Sequence, residues 1–226
     1  MKVAIIVILI VAILGGLGVG GYFLFFNDND KGNDNVAQPT VDIYEISNKS
    51  KPTKVTTEVS YVTTAGDTLS GYYVTTIDGN DTIFEYTYDR LYTPAESIEE
   101  GTADRVKTLS GVIYYHDGVY SGDQEDWKPG SGTAMELKFH LSSGDLKNPT
   151  ISEDGTILTA KVSPENAAKI IGTDIRAVED IDLVVETNGV NLTMITISCR
   201  TATGSMTIRT SYTYNVQDLF PEADAA

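Results

Sequence analysis

The chain has 226 residues, 32 Asp and Glu against 16 Lys and Arg, a formal charge of −16 and a single cysteine. The acidic balance and scattered cations exclude the basic stripe that a nucleic-acid binder needs to displace phosphate counterions. One cysteine excludes an intrachain disulfide framework, so stability has to come from a packed core.

Residues 3–26, VAIIVILIVAILGGLGVGGYFLFF, form one uncharged apolar run. As a helix rising about 1.5 Å per residue it spans about 36 Å, enough to cross a hydrocarbon core of about 30 Å. A cleavable signal peptide has an apolar region of about 7 to 15 residues. Here Tyr22, Phe23, Leu24, Phe25 and Phe26 continue the run beyond the small residues at Gly18, Gly20 and Gly21, so a retained transmembrane anchor over 1–26 is expected. Lys2 on one side and Asp28, Asp30 and Asp34 on the other orient it with the N-terminus in the cytoplasm. The rest is then extracellular or periplasmic, on a cell membrane of bacterial type.

Residues 27–40 read as a flexible acidic linker, and 221–226 as a disordered tail. Between them, 41–220 is long enough for one domain. Alternation of period two marks strands around Val55–Tyr61, Tyr72–Thr76, Phe84–Tyr88, Leu137–Leu141, Ile181–Val185 and Met206–Tyr214, and such alternation places one face in a core and the other in water. Turn signals separate them at Ala65-Gly66, Asp78-Gly79, Asp117-Gly118, Asp154-Gly155, Asn188-Gly189 and Thr203-Gly204, so consecutive strands are expected to be antiparallel neighbours. Thr68-Leu-Ser-Gly71 is echoed by Thr108-Leu-Ser-Gly111, which suggests two strands in equivalent sheet positions. Helix signals are few. Ser163-Pro-Glu-Asn-Ala-Ala-Lys-Ile-Ile-Gly172 has an N-cap, a first-turn proline and a terminating glycine, and Pro94–Glu100 is stopped by Gly101. The expected fold is mainly β: a large curled antiparallel sheet, open or half-barrel, with one or two short covering helices behind the transmembrane helix.

Catalytic and metal patterns are sparse. His116 and His140 are the only histidines and neither has ligand spacing. Gly130-Ser131-Gly132 reads as a spacer rather than a nucleophile elbow. Cys199 reads as a buried strand thiol. No enzyme, cofactor or metal site is expected.

The hairpin Val112–Tyr120 followed by Trp127, the late capped helix and the closing meander Asp180–Tyr214 together resemble the LolA- and LppX-like envelope lipoprotein and lipid carriers. The resemblance implies a cleft between sheet and helices that accepts a lipid or other apolar ligand, lined by Tyr72, Phe84, Tyr86, Tyr114 and Phe139 with Ile170 and Ile171 from the helix. The anchor sets this chain apart from soluble or lipid-modified relatives and implies binding or handover at the membrane surface. Two other readings stand beside it: the same aromatics filling an ordinary core, and an envelope protein–protein interaction module with Trp127, among Asp123, Glu125 and Asp126, as its contact loop.

Overall fold

The computed structural model describes residues 42–78, 81–116, 119–122, 139–171 and 175–214. The expected anchor, linker, Trp127 loop and tail lie outside the described residues. Among the described residues no helix is long and apolar enough to cross a membrane.

The fold is mainly β. Among the described residues ten strands form one antiparallel sheet: β1 (Lys54–Thr63), β2 (Thr68–Asp78), β3 (Asp81–Leu91), β4 (Val106–His116), β5 (Val119–Gly122), β6 (Leu146–Ile151), β7 (Ile157–Val162), β8 (Ile181–Thr187), β9 (Leu192–Thr201) and β10 (Gly204–Thr213). Their order is β5-β4-β3-β2-β1-β10-β9-β8-β7-β6. Two meanders are thus joined where β1 pairs with β10, from Lys54 opposite Thr213 to Thr63 opposite Gly204. β5 and β6 are opposite edges, so the sheet is open. The β6 edge is blunted by Asn148 at φ 50°, by Pro149, and by a register shift between Lys147 and Thr150, all of which discourage a further strand from pairing there.

The period-two pattern becomes two chemically distinct faces. Val55, Val59 and Tyr61 on β1 stand beside Ile208 and Met206 on β10, Ile197 and Ile195 on β9, Leu183 and Val185 on β8, and Leu158 and Val162 on β7. All of these belong to the buried apolar surface. Fully burying one such aliphatic side chain stabilises by about 1.5–3 kcal/mol, and the continuity of this stripe holds the two meanders as one unit.

Among the described residues three short α-helices complete it: α1 (Ile43–Lys49), α2 (Pro94–Glu100) and α3 (Pro164–Ile171). Ile43 from α1 and Ala167 and Ile170 from α3 join the same core. Asp42 caps α1 by accepting from the Tyr44 and Glu45 amides at 3.0 and 3.2 Å. Two residues of this region act as clasps. The Asn48 side chain accepts from the Leu141 amide at 2.7 Å and donates to the Leu141 carbonyl at 2.9 Å. Ser50 Oγ donates to the Ile46 carbonyl and accepts from the Leu192 amide, both at 2.8 Å. α2 begins with a reciprocal capping box between Thr93 and Glu96 and ends at Gly101, whose φ of 62° suits a residue without Cβ.

The strand expected at Leu137–Leu141 lies in part outside the described residues, which resume at Phe139. Phe139 and His140 have no regular structure. Leu141 is nonetheless buried in the core and Phe139 packs against it. The apolar alternation there reflects a chain segment pressed onto the core face and tied to Asn48, since burial rather than ladder pairing selects the residue types.

Candidate functional site

The aromatic residues singled out in the sequence divide between the two faces. On the core face, β3 presents Phe84, Tyr86 and Tyr88, and β2 presents Tyr73 opposite Tyr86. Their rings form a ladder, Tyr73 to Phe84 at 6.3 Å, Phe84 to Tyr86 at 6.0 Å, Tyr86 to Tyr88 at 6.0 Å and Tyr73 to Tyr88 at 6.5 Å between centroids, within the range where aromatic pairs attract beyond their area.

The echoed Leu-Ser-Gly segments make room for this ladder. They lie on β2 and β4, the two neighbours of β3, with Gly71 opposite Tyr88 and Gly111 opposite Tyr86. A Cβ at Gly71 would meet Tyr73 Cε2 at 2.6 Å, and one at Gly111 would run into the Tyr86 ring. Each glycine is therefore a recess on which a tyrosine ring lies flat. On the opposite face the same segments converge on Asp89, which accepts from the Ser70 amide at 3.0 Å and from the hydroxyls of Ser70 and Thr108 at 2.5 and 2.6 Å. These hydrogen bonds hold its carboxyl below the usual range against the opposing pull of burial.

Of the expected ligand contacts, Phe84 and Ile170 are 7% and 1% exposed and belong to the core, with Tyr86 and Phe139 half-buried against it. Tyr72 and Tyr114 point the other way: Tyr72 stands opposite Glu58 and Thr87, and Tyr114 opposite Ile83. The seven residues therefore do not line one cleft, because strand parity separates Tyr72 and Tyr114 from Phe84 and Tyr86. Ile171 ends α3, and its side chain lies outside the described residues, as does Trp127.

The sequence pattern points to Tyr72, but adjacent strand residues face opposite sides and it is Tyr73 that joins the ladder. It is 2% exposed, and its hydroxyl is buried without a hydrogen-bond partner. Burial, assisted by Tyr88 and Asp89, pushes its ionisation well above that of an ordinary phenol. Cys199 is buried on β9, and burial pushes its thiol up to about 11, so it is protonated and inert at neutral pH.

A shallow cleft of about 610 Å³ lies where β8, β9 and β10 meet the residues before β8, and its lining includes Lys161, Asp180, Asp182, Ser198 and Arg200. Its charges are mutually satisfied: Lys161 with Asp182 at 2.7 Å, Lys147 with Asp180 at 2.8 Å and Arg200 with Glu179 at 3.7 Å. Among the described residues no group of three or more His, Cys, Asp or Glu is placed to hold a metal ion.

The architecture defines an open, single-sheet antiparallel β protein with short helices. No protein-family model and no curated protein matches this chain.

Proposed function

We propose that the protein is a membrane-tethered, extracytoplasmic binding module that engages another protein, its core filled by its own side chains. The observation that carries this reading is the division of the aromatic residues. Phe84 and Ile170, the best placed for an internal ligand, are sealed into the core, whereas Tyr72 and Val112 on the opposite face are 48% and 47% exposed. The uncharged run 3–26 supports the tether, with the N-terminus cytoplasmic and the sheet domain outside, in an envelope of bacterial type.

A second reading, the lipid carrier that the sequence resembles, is favoured by Tyr86 and Tyr88, which are half-buried rather than sealed, and by the partnerless Tyr73 hydroxyl beside them. It places an acyl chain along the β2–β3 ladder, under a curled sheet.

Native mass spectrometry of the full chain in detergent, before and after incubation with phospholipid and monoacylglycerol, separates the two. The interaction module gives a mass without a specific lipid adduct. A one-to-one acyl adduct, abolished by Tyr86→Glu in a variant that still unfolds cooperatively, would overturn it in favour of the carrier.

A further inference from the structure

The chain holds a single Asn-Gly pair, Asn188-Gly189, in the turn between β8 and β9. The turn is closed by the Asn188 amide, which donates to the Asn191 carbonyl at 3.0 Å. The Asn188 side chain is exposed, and its Oδ1 accepts from the Val190 and Asn191 amides at 3.0 and 2.8 Å. Gly189 has a φ of 83°, with open space where a Cβ would stand. Its N–H donates to Thr187 Oγ1 at 3.5 Å, longer than an ordinary N–H···O bond.

The four other asparagines among the described residues each lack one of these conditions. Asn48 is held at both ends of its carboxamide by the Leu141 main chain. Asn148 precedes Pro149, which has no N–H. The amide after Asn166 donates to the Ser163 carbonyl at 2.9 Å, and the amide after Asn191 donates to Ser50 Oγ at 2.8 Å. At these positions the carboxamide or the neighbouring nitrogen is already committed. At the β8–β9 turn neither is, and no side chain obstructs the path between them.

We infer that Asn188 is a site of spontaneous covalent modification in the folded protein, converting to aspartate and isoaspartate through a succinimide closed by Gly189. Solvent base removes the Gly189 amide proton, and the nitrogen attacks Asn188 Cγ to form a new C–N bond. Negative charge builds on Oδ1 during the attack, where the Val190 and Asn191 amides already donate, as donors aimed at developing charge do in an oxyanion hole. The carboxamide C–N bond breaks and its nitrogen leaves, protonated by solvent, as ammonia. Water then opens the ring. Attack at Cγ gives aspartate with the original main chain, and attack at the Asn188 main-chain carbonyl gives isoaspartate. No oxidant or reductant takes part. The inference stands apart from both readings of the protein's function.

The two products differ in what they do to the fold. Aspartate keeps an oxygen to accept from the Val190 and Asn191 amides. Isoaspartate adds a methylene to the main chain of the turn, beside the Thr187–Leu192 pair that ends the ladder. Leu192 is 1% exposed and fastened through its main chain to Ser50 Oγ at 2.8 Å and to the Tyr214 hydroxyl at 2.7 Å. The change thus falls where the α1 region is tied to the sheet.

The full chain in detergent is incubated in warm, mildly alkaline buffer, with and without guanidinium chloride, and each asparagine is followed by peptide mapping that separates aspartate from isoaspartate. In the folded chain Asn188 converts to both products, about tenfold or more faster than Asn48, Asn166 or Asn191. Unfolding leaves the Asn188 rate within about tenfold and accelerates the other three by more than it does Asn188. The isoaspartate form, separated chromatographically, unfolds at lower urea than the Asn188→Asp variant, which stays near wild type. Conversion of Asn188 only in guanidinium, or earlier conversion of another described asparagine in the folded chain, overturns the inference. Equal urea midpoints for the isoaspartate form and Asn188→Asp overturn its consequence for the clasp at Leu192.

Discussion

Replacing Tyr73 with Phe removes one oxygen and nothing else, at a position where that oxygen is buried without a partner. A buried polar group left unsatisfied costs about 1–3 kcal/mol in lost hydration. Against that gain stands the small void left by the oxygen. At about 24 cal/mol per Å³, a void of about 10 Å³ costs about 0.2 kcal/mol. The ring contacts with Phe84 and Tyr88 are kept. Tyr73→Phe should therefore stabilise the fold by about 1 kcal/mol or more, the opposite of the usual outcome of a core tyrosine substitution. Urea unfolding of the two proteins at neutral pH, with equal slopes, measures the difference directly. The same comparison at high pH carries a second signature. The folded-state ionisation of Tyr73 is raised above the ordinary value of 10.0, so above that pH the unfolded chain releases a proton that the folded chain retains. Tyr73 therefore draws stability away as pH rises from about 10 upward, and the advantage of Tyr73→Phe should widen there. A loss of about 1 kcal/mol or more on substitution at neutral pH would refute the reasoning, since the hydroxyl would then have to be hydrogen-bonded in solution.

Asn48→Ala removes two hydrogen bonds to the Leu141 main chain and should destabilise by about 1–3 kcal/mol; hydrogen exchange at Leu141 should quicken along with the fall in the urea midpoint. Glu96 forks onto Arg90, with one bond of 2.9 Å from Nη1, and accepts from the Thr93 amide at 2.9 Å. These bonds, led by Arg90, hold its carboxyl far below the usual 4.5. A lowered folded-state value stabilises above about pH 4.5 and is lost as pH falls below it, so the stability difference between wild type and Glu96→Gln should close on acidification. A difference that does not depend on pH would exclude the ionised fork as its source.

The legibility of the sequence follows from the range of the forces involved. Helices α2 and α3 were readable from Pro94, Gly101, Ser163 and Pro164 because capping is settled within a few residues. Helix α1 gave little warning. Its seven residues are too few for propensity to stabilise them alone, and they are held by Asn48 and Ser50, which reach Leu141 and Leu192 at far separations in the chain. Cys199 was readable as a buried strand thiol because its neighbours Ile195 and Ile197 are apolar at period two. At Phe139 and His140 the alternation accompanies burial without regular structure, since alternation records burial and says nothing of whether a ladder partner is present.

What the sequence determined by itself is the anchor-length apolar run, the acidic surface, the antiparallel β class and the positions of the turns, because composition and local periodicity suffice for each. Only the tertiary structure decided which face each aromatic occupies relative to the others. Parity is certain within one strand, yet the relation between strands depends on register, and register is fixed by pairings such as Gly71 with Tyr88 and Gly111 with Tyr86. That long-range choice placed Tyr73 in the core and left Tyr72, its immediate neighbour, half exposed on the opposite face.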